Sequence, residues 1–302
     1  MPSLVTVRGA IPISQLGLIL PHEHLFLDFR SPSHAEADAT DVLRRLRPYL
    51  EEIRTQGVTA LVECTPVGVG RNVEILRALS EAIDLPVVAA TGSYRDDRVP
   101  VELRTLSREA LTEWMVRELT EGIEDTGIRA GFIKLASTDS GLTPLEERLL
   151  RAAAHASRAT GAAMASHTVA GAVALRQIAI LEEEGADPRR FIWVHANNEP
   201  DPALHTEAAR RGAYLEYDAI GAPGQSDQHY IDLIRRAADG GLARQVLLSQ
   251  DAGWYDAGQP KAPIRGYGYL VQHFLPALRQ AGFAEAEIRT LTVENPQRAF
   301  AR

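Results

Sequence analysis

Two histidines separated by one residue raise the first question about chemistry. His22 and His24 flank Glu23 in PHEHLFLDF, directly after the apolar run LGLIL. In a β-strand, residues i and i+2 point to the same face, so both imidazoles could bind one metal ion. A strand that carries two histidines on a solvated face fits the same pattern, because H-x-H alone is a weak motif. The metal hypothesis therefore depends on further ligands elsewhere in the chain.

The elements that would position such ligands are eight short apolar runs. They are rich in Val, Ile and Leu and mostly lack polar alternation, which is typical of strands buried on both faces. Helical spacing separates them, as in LTPLEERLLRAAAHASRATG, where Thr143 is the predicted N-cap, Pro144 the first helical residue and Glu146 the partner of the cap. The runs are 16–20, 58–65, 86–92, 131–137, 162–168, 191–197, 212–221 and 245–251.

Eight β-then-α units without an intervening linker predict one (β/α)8 TIM barrel that spans residues 1–302 as a single domain. A doubly wound open sheet is the alternative. Such a sheet more often carries a glycine fingerprint after its first strand, and GVGR at 68–71 does not match G-x-G-x-x-G. The barrel is therefore the favoured α/β architecture.

Composition and charge exclude several classes of function. A net charge of −8 argues against a nucleic-acid-binding protein, which needs a basic surface. No apolar run approaches the ~20 residues of a membrane span, and the N-terminus lacks the pattern of a signal peptide. Cys64 is the sole cysteine, so no internal disulfide can form and a reducing, cytoplasmic location is expected.

Residues with useful chemistry cluster at the carboxyl ends of the predicted strands, which meet at one mouth of a barrel. Taken singly, each has an ordinary explanation as a polar strand end, a snorkelling lysine or a helix-capping aspartate. Their conjunction favours a shared site. These residues are His22, His24, Lys134, His167, His195 and Asp251. The remaining histidines, predicted to lie at the surface, are His34, His155, His205, His229 and His273.

Lys134 stands among apolar neighbours in GFIKLAS. Burial destabilises a charged ammonium group and favours the neutral amine. A neutral amine can react with CO₂ to form a carbamate, which is an anionic, bidentate ligand able to bridge two metal ions. A lysine at this position could therefore bind metal ions as a carbamate rather than repel them as an ammonium group.

The sequence resembles the phosphotriesterase family of the amidohydrolase superfamily over nearly its whole length. The resemblance rests on HEH (22–24), GRN (70–72), ATGSY (90–94), GFIKLA (131–136), SHT (166–168), the lone His195, LLSQD (247–251) and VENPQRAF (293–300). It implies that His22, His24 and Asp251 bind the more buried of two divalent ions. It also implies that His167 and His195 bind the more exposed ion. N-carboxylated Lys134 and a hydroxide would bridge both.

The resemblance implies a hydrolase that attacks a small-molecule ester, lactone or phosphoester, with Asp251 as the proton-transfer group. Zinc fits these nitrogen and oxygen ligands, and Mn, Co or Fe accept the same set. The family also suggests a homodimer. A non-catalytic ligand-binding member is the alternative, although such a protein would not need all six ligand positions.

Residues near the predicted mouth favour a lactone as the substrate. Tyr94 stands where family lactonases carry a tyrosine and dedicated phosphotriesterases carry a tryptophan. Ala219 replaces the relay histidine of the phosphotriesterases and the arginine of acyl-homoserine-lactone hydrolases, and Asn198 replaces a relay aspartate. Phosphotriesterase activity is therefore the weaker alternative.

The long segment DAGWYDAGQPKAPIRGYGYL is expected to add aromatic and cationic contacts to a small polar or anionic lactone. For Arg265 and Tyr267, packing against the barrel at the start of a helix is an equal alternative. The candidate substrate contacts are Arg95, Trp254, Lys261, Arg265 and Tyr267.

Overall fold

The computed structural model describes residues 2–30 and 37–302. A short antiparallel hairpin of β1 (Ser3–Thr6) and β2 (Gly9–Pro12) precedes alternating parallel strands and helices, and the predicted (β/α)8 barrel is confirmed. The barrel strands are β3 (Leu18–Leu27), β4 (Val58–Glu63), β5 (Val87–Val88) with β6 (Ala90–Thr91), β7 (Phe132–Ala136), β8 (Met164–His167), β9 (Phe191–Val194), β10 (Tyr214–Tyr217) and β11 (Val246–Leu248).

The strands follow one another around the barrel in sequence order. β5 and β6 act as one interrupted third strand, since β5 pairs with β4 and β6 pairs with β7. The ring closes between the eighth strand and the first, where the Asp251 N–H donates to the His22 carbonyl over 3.2 Å. A further strand, β12 (Gly253–Asp256), pairs in parallel with the far end of β3, with Gly253 opposite His24.

The first strand is longer than the predicted run 16–20. β3 continues through His22 and His24 to Leu27, so both histidines lie inside the strand rather than after it. Every residue from Ile19 to Leu27 is buried, and β12 provides a second pairing partner for this half of the strand. The strand therefore continues past Pro21 and keeps both imidazoles on one face.

Helices cover the outside of the barrel. Their bounds are α1 (Ala39–Thr55), α2 (Val73–Ile83), α3 (Val101–Arg104), α4 (Arg108–Thr120), α5 (Pro144–Thr160), α6 (Gly171–Glu183), α7 (Pro202–Arg210), α8 (Asp227–Asp239), α9 (Leu275–Gln280), α10 (Glu285–Arg289) and α11 (Asn295–Phe300). Within the described residues, none of them has both the length and the apolar character needed to cross a membrane.

The sequence signals at the ends of α5 are confirmed. The Thr143 hydroxyl accepts from the Glu146 N–H, and the Glu146 carboxylate accepts from the Thr143 N–H, which forms the predicted capping box. The helix ends at Gly161, whose φ of 75° is a left-handed conformation that glycine adopts without strain.

Two buried layers result from the alternation of side chains along the strands. In β7, Phe132 belongs to the cluster inside the barrel, whereas Ile133 and Leu135 pack under the helices. Phe300 of α11 meets Phe132 edge to face, with ring centroids 5.4 Å apart. Lys134 shares the inner face of β7 and opens into the cavity at the carboxyl ends of the strands.

Candidate metal centre

The six predicted ligand residues all line one cavity at the carboxyl ends of the barrel strands. They come from five of the eight strand positions, so only closure of the barrel brings them together. The other lining residues are Leu27, Phe29, Cys64, Pro66, Val69, Tyr94 and Trp254. The cavity therefore has a polar floor and walls that are largely apolar or aromatic.

His22, His24 and Asp251 form a group whose ligand atoms lie within 4.8 Å of one another. Asp251 Oδ1 is 3.2 Å from His24 Nε2 and 3.7 Å from His22 Nε2. This oxygen is buried and has no well-formed hydrogen bond within the described residues. Two imidazole nitrogens and one unsatisfied carboxylate oxygen in this arrangement fit a divalent cation.

The opposite ring nitrogens of both histidines are anchored. His22 Nδ1 lies 2.8 Å from Glu216 Oε2, and His24 Nδ1 lies 2.8 Å from the Thr65 hydroxyl. Thr65 in turn donates to Glu63 Oε1 over 2.5 Å. Contacts of this kind orient metal-binding imidazoles and leave Nε2 free to bind.

His167 and His195 form the second half of the site. His195 Nε2 lies 2.8 Å from His167 Nδ1, and the two rings meet edge to face. His195 has a φ of 65°, and Asp218 holds both its backbone N–H and its Nδ1. Burial, followed by the influence of His195, lowers the pKa of His167 to about 2, so its ring is neutral and retains a free lone pair.

Electrostatics favour donors that are ready to bind a cation. Burial and then the Lys134 charge hold the pKa of His22 well below its usual value. Burial alone would raise the pKa of Asp251, but His24, His195 and Lys134 together lower it. His22 and His167 are therefore neutral imidazoles beside the ionised carboxylate of Asp251, which is the protonation state that metal binding requires.

Lys134 is only 2% exposed. Within the described residues, its Nζ has neither an ion-pair partner nor a hydrogen bond. A buried ammonium group is normally paired because its desolvation is costly. The lone amine in this position fits the expected carboxylated form.

Buried carboxylates behind the ligands were missed in the sequence. They are Glu23, Glu63, Glu216 and Asp218. Glu23 accepts from the Ser249 hydroxyl over 2.9 Å and from the Ala252 N–H over 2.7 Å, so it holds the segment that carries Asp251. Burial raises the pKa of Glu23 to about 7 despite these bonds. An acid inside an apolar run, as in YLEYD, is the signal that could have indicated them.

Tyr94 lies beside the second half of the site. Its hydroxyl is 3.4 Å from His167 Nδ1, and burial raises the pKa of the phenol. The Arg95 guanidinium lies 5.4 Å from the Tyr94 ring centroid, and Arg95 Nε is buried without a hydrogen-bond partner within the described residues. On the opposite wall, the Trp254 ring lies 4.7 Å from that of His24.

The remaining predicted substrate contacts do not line this cavity. Lys261 is exposed. Arg265 donates through Nη2 to the Asp251 carbonyl over 2.5 Å, and therefore supports the backbone from behind. Tyr267 is fully buried and donates to the His24 carbonyl over 2.9 Å. These contacts fit the alternative that Tyr267 packs against the barrel, since its hydroxyl serves the packing of β3.

The surface prediction is wrong for one of the other histidines. His205 is 5% exposed and meets the Trp193 ring edge to face, because this side of α7 packs onto the barrel. His155 is half-buried against Glu184, with 2.7 Å between the two side chains. His229 and His273 are exposed as predicted, and His34 lies outside the described residues.

Known proteins resemble this chain over nearly its whole length. The family model described as "Phosphotriesterase family" matches residues 2–300. A phosphotriesterase homology protein of Mycobacterium tuberculosis is 34% identical, over 100% of this chain and 98% of its own. An N-acetyltaurine hydrolase of Mus musculus is 28% identical, over 97% of this chain and 96% of its own.

Among solved structures, one describes the engineering of organophosphate hydrolysis activity from a weak promiscuous lactonase template. It superposes with a TM-score of 0.88 at 32% identity and covers 99% of both chains. The chain belongs to the phosphotriesterase family. This family is binuclear and metal-dependent, and its characterised relatives include hydrolases.

Proposed function

We propose that this protein hydrolyses the ring ester of a lactone at a two-metal centre. In this proposal, His22, His24 and Asp251 would hold one divalent ion, His167 and His195 would hold the other, and carboxylated Lys134 would complete the ligand set. The observation that carries the lactone assignment is the Tyr94 hydroxyl, 3.4 Å from His167 Nδ1. This hydroxyl supports the proposal because it would donate a hydrogen bond to the carbonyl oxygen of an ester, where negative charge develops.

The chemistry would be shared between the ions and the side chains. Two divalent ions in such a site polarise a carbonyl and lower the pKa of bound water. Asp251 would accept a proton from the attacking water, whose oxygen bonds to the carbonyl carbon. It would return that proton to the ring oxygen as the ester C–O bond breaks, because it is ionised and lines the cavity. Tyr94 donates a hydrogen bond to the carbonyl oxygen of the substrate.

The walls of the cavity favour a lactone with a neutral, apolar substituent. Leu27, Phe29 and Val69 line one side. None of the cations Arg95, Lys261 and Arg265 lines the cavity formed by the described residues. Arg95 is the cation that stands next to Tyr94, so it is the remaining candidate for a polar contact with the substrate. These positions support an apolar substituent over the anionic one expected from the sequence.

Two positions argue against a dedicated phosphotriesterase. Ala219 packs against the outer hydrophobic layer, and Asn198 is exposed. Neither can relay a proton away from Asp251 as an imidazole or a carboxylate would. Triesters should therefore be poor substrates, although the same centre could attack them slowly.

The test is a comparison of substrates with measured metal content. Protein purified with adequate Zn²⁺, Mn²⁺ or Co²⁺ should hold about two ions per chain. Its kcat/KM for the best of a series of γ- and δ-lactones should exceed that for a paraoxon-like triester at least about a hundredfold, or ~2.7 kcal/mol. An N-acetyl amide with a sulfonate group is included, because a relative is named for hydrolysing N-acetyltaurine.

The outcomes separate the alternatives. Faster turnover of the triester or the amide than of every lactone would replace the lactone proposal. One ion or none after reconstitution would contradict the two-metal centre. Two bound ions with no turnover of any substrate would favour a non-catalytic ligand-binding protein.

A further inference from the structure

We propose that Glu146 is a positioning residue for Tyr94. Glu146 lies in the first turn of α5, outside the cavity, and is 2% exposed. Its carboxylate joins the loop after β6, which carries Tyr94, to the loop after β7. The effect of Glu146 on catalysis rests on the role proposed above for Tyr94. The hydrogen bonds through which Glu146 positions Tyr94 do not depend on that role.

Three backbone N–H groups from two loops donate to this one carboxylate. The Asp96 N–H donates to Oε1 over 3.2 Å. The Thr138 and Thr143 N–H groups donate to Oε2 over 3.3 Å and 3.0 Å. Only the bond from Thr143 belongs to the capping box. Capping of α5 therefore does not account for the bonds from Asp96 and Thr138.

The loop after β6 depends on few other contacts near Tyr94. The Tyr94 N–H donates to the Val67 carbonyl over 3.0 Å, which fixes the start of the loop. Two residues later, Glu146 holds Asp96 from the buried side. Arg104 also holds Asp96, over 2.7 Å, but its own side chain is 44% exposed. Glu146 is therefore the buried restraint on the far side of Tyr94.

The loop after β7 is tied to the partner of Tyr94. Ser137 donates its N–H to the His167 carbonyl over 2.9 Å, and the next residue, Thr138, donates to Glu146. One carboxylate thus connects the backbone beside Tyr94 with the backbone beside His167. Loss of Glu146 would leave the part-buried N–H groups of Asp96 and Thr138 without this acceptor and would release the spacing between Tyr94 and His167.

The test is a double-mutant cycle with a matched control. Glu146→Ala removes all three bonds, and Thr143→Ala removes the other half of the capping box without touching Asp96. Both variants should lower Tm, because both weaken the start of α5. Glu146→Ala alone should lower kcat, by about tenfold or more, since a displacement of 1 Å can cost roughly 10²-fold. In a Tyr94→Phe background, Glu146→Ala should lower kcat by no more than about twofold, because the partner through which it acts is gone.

A second measurement does not depend on turnover. In protein labelled with 3-fluorotyrosine, the ¹⁹F resonance missing from Tyr94→Phe identifies Tyr94 among the eight tyrosines. Glu146→Ala should shift or broaden that resonance, and Thr143→Ala should leave it unchanged. Equal effects of both variants on this resonance, or an undiminished loss of kcat in the Tyr94→Phe background, would overturn the proposal. If lactones are not substrates, the ¹⁹F result still decides it, and the cycle is run with whichever substrate is turned over.

Discussion

The Asp218 carboxylate contacts His195 through both of its oxygens. One carboxylate oxygen accepts the His195 backbone N–H over 2.9 Å, and the other lies 2.7 Å from Nδ1. The backbone of His195 is left-handed, a conformation that costs energy for a non-glycine residue and persists only where the surroundings enforce it. Burial alone would lower the pKa of His195, but Asp218 raises it above its usual value. Asp218 therefore sets both the direction and the basicity of this imidazole.

Asp218→Asn should weaken metal binding. The amide can no longer accept two hydrogen bonds from His195 with a full negative charge, and partners of metal-binding histidines typically contribute 10- to 100-fold in affinity. Competition for Zn²⁺ with a chromophoric chelator would measure the loss. Asn198→Ala, a nearby exposed position, is the control. Equal Zn²⁺ affinity in Asp218→Asn and the control would show that Asp218 does not support metal binding by His195.

Lys134 should carry a carbamate that ¹³C NMR can detect. The chain has two lysines, Lys134 and Lys261. After labelling with ¹³CO₂, a carbamate signal should vanish in Lys134→Ala and persist in Lys261→Ala. Lys134→Ala should also lose activity and at least one ion, with partial rescue by short carboxylic acids. Lys134→Arg should not be rescued, since its fixed charge would repel the ions. A signal that survives in Lys134→Ala would contradict the bridging role.

Asp251→Asn should lower kcat by roughly 10²–10⁴, the range typical of a positioned acid or base. The amide keeps an oxygen at the site but cannot take up the proton. Asp256→Asn, in β12, is the matched control, and its rate should stay near that of the unmodified protein. Measurement of metal content beside kcat separates lost proton transfer from lost ions. A near-normal rate for Asp251→Asn would assign proton transfer to another group.

Phe29→Ala should raise KM selectively for lactones with longer apolar substituents. Phe29 lines the cavity and stacks near Trp254, with ring centroids 6.1 Å apart. Loss of about 1 kcal/mol of apolar contact corresponds to a roughly fivefold rise in KM. Val101→Ala removes another exposed apolar side chain that does not line the cavity, and serves as the control. A rise in KM that is independent of substituent length would show that the substituent does not contact Phe29.

Arg151→Met should change the pH dependence of stability. Hydrogen bonding to Arg151 lowers the pKa of Glu184 below 4.5. A lowered carboxyl pKa contributes stability above the unfolded value, and that contribution is lost as pH falls through the folded value. The difference in Tm between Arg151→Met and the unmodified protein should therefore be present at pH 7 and shrink well below pH 4.5. Arg176→Met, which pairs with Glu183 at the surface, should show a smaller difference. A constant difference across pH would indicate lost packing.

Local sequence determined most of the elements. The capping box at Thr143, the left-handed Gly161 and the buried apolar runs act over a few residues, so their signals can be read directly. The end of β3 could not be read in this way. Its continuation to Leu27 depends on pairing with β12, which lies more than two hundred residues later in the chain. Likewise, Tyr267 sits in a segment that looks like a loop, and only its packing against β3 shows that its hydroxyl is buried.

The sequence by itself determined the type and order of the six candidate ligands, because each lies in or just after a recognisable apolar run and a barrel brings these parts of its parallel strands together. Tertiary structure decided which carboxylates contact these ligands and which side chains line the cavity around them. Glu216 meets His22, and Asp218 meets His195, only after strands far apart in sequence become neighbours. The substrate walls were decided in the same way. Arg265 turns to the backbone because buried carbonyl groups require donors, and Phe29 lines the cavity because it lies beside Trp254.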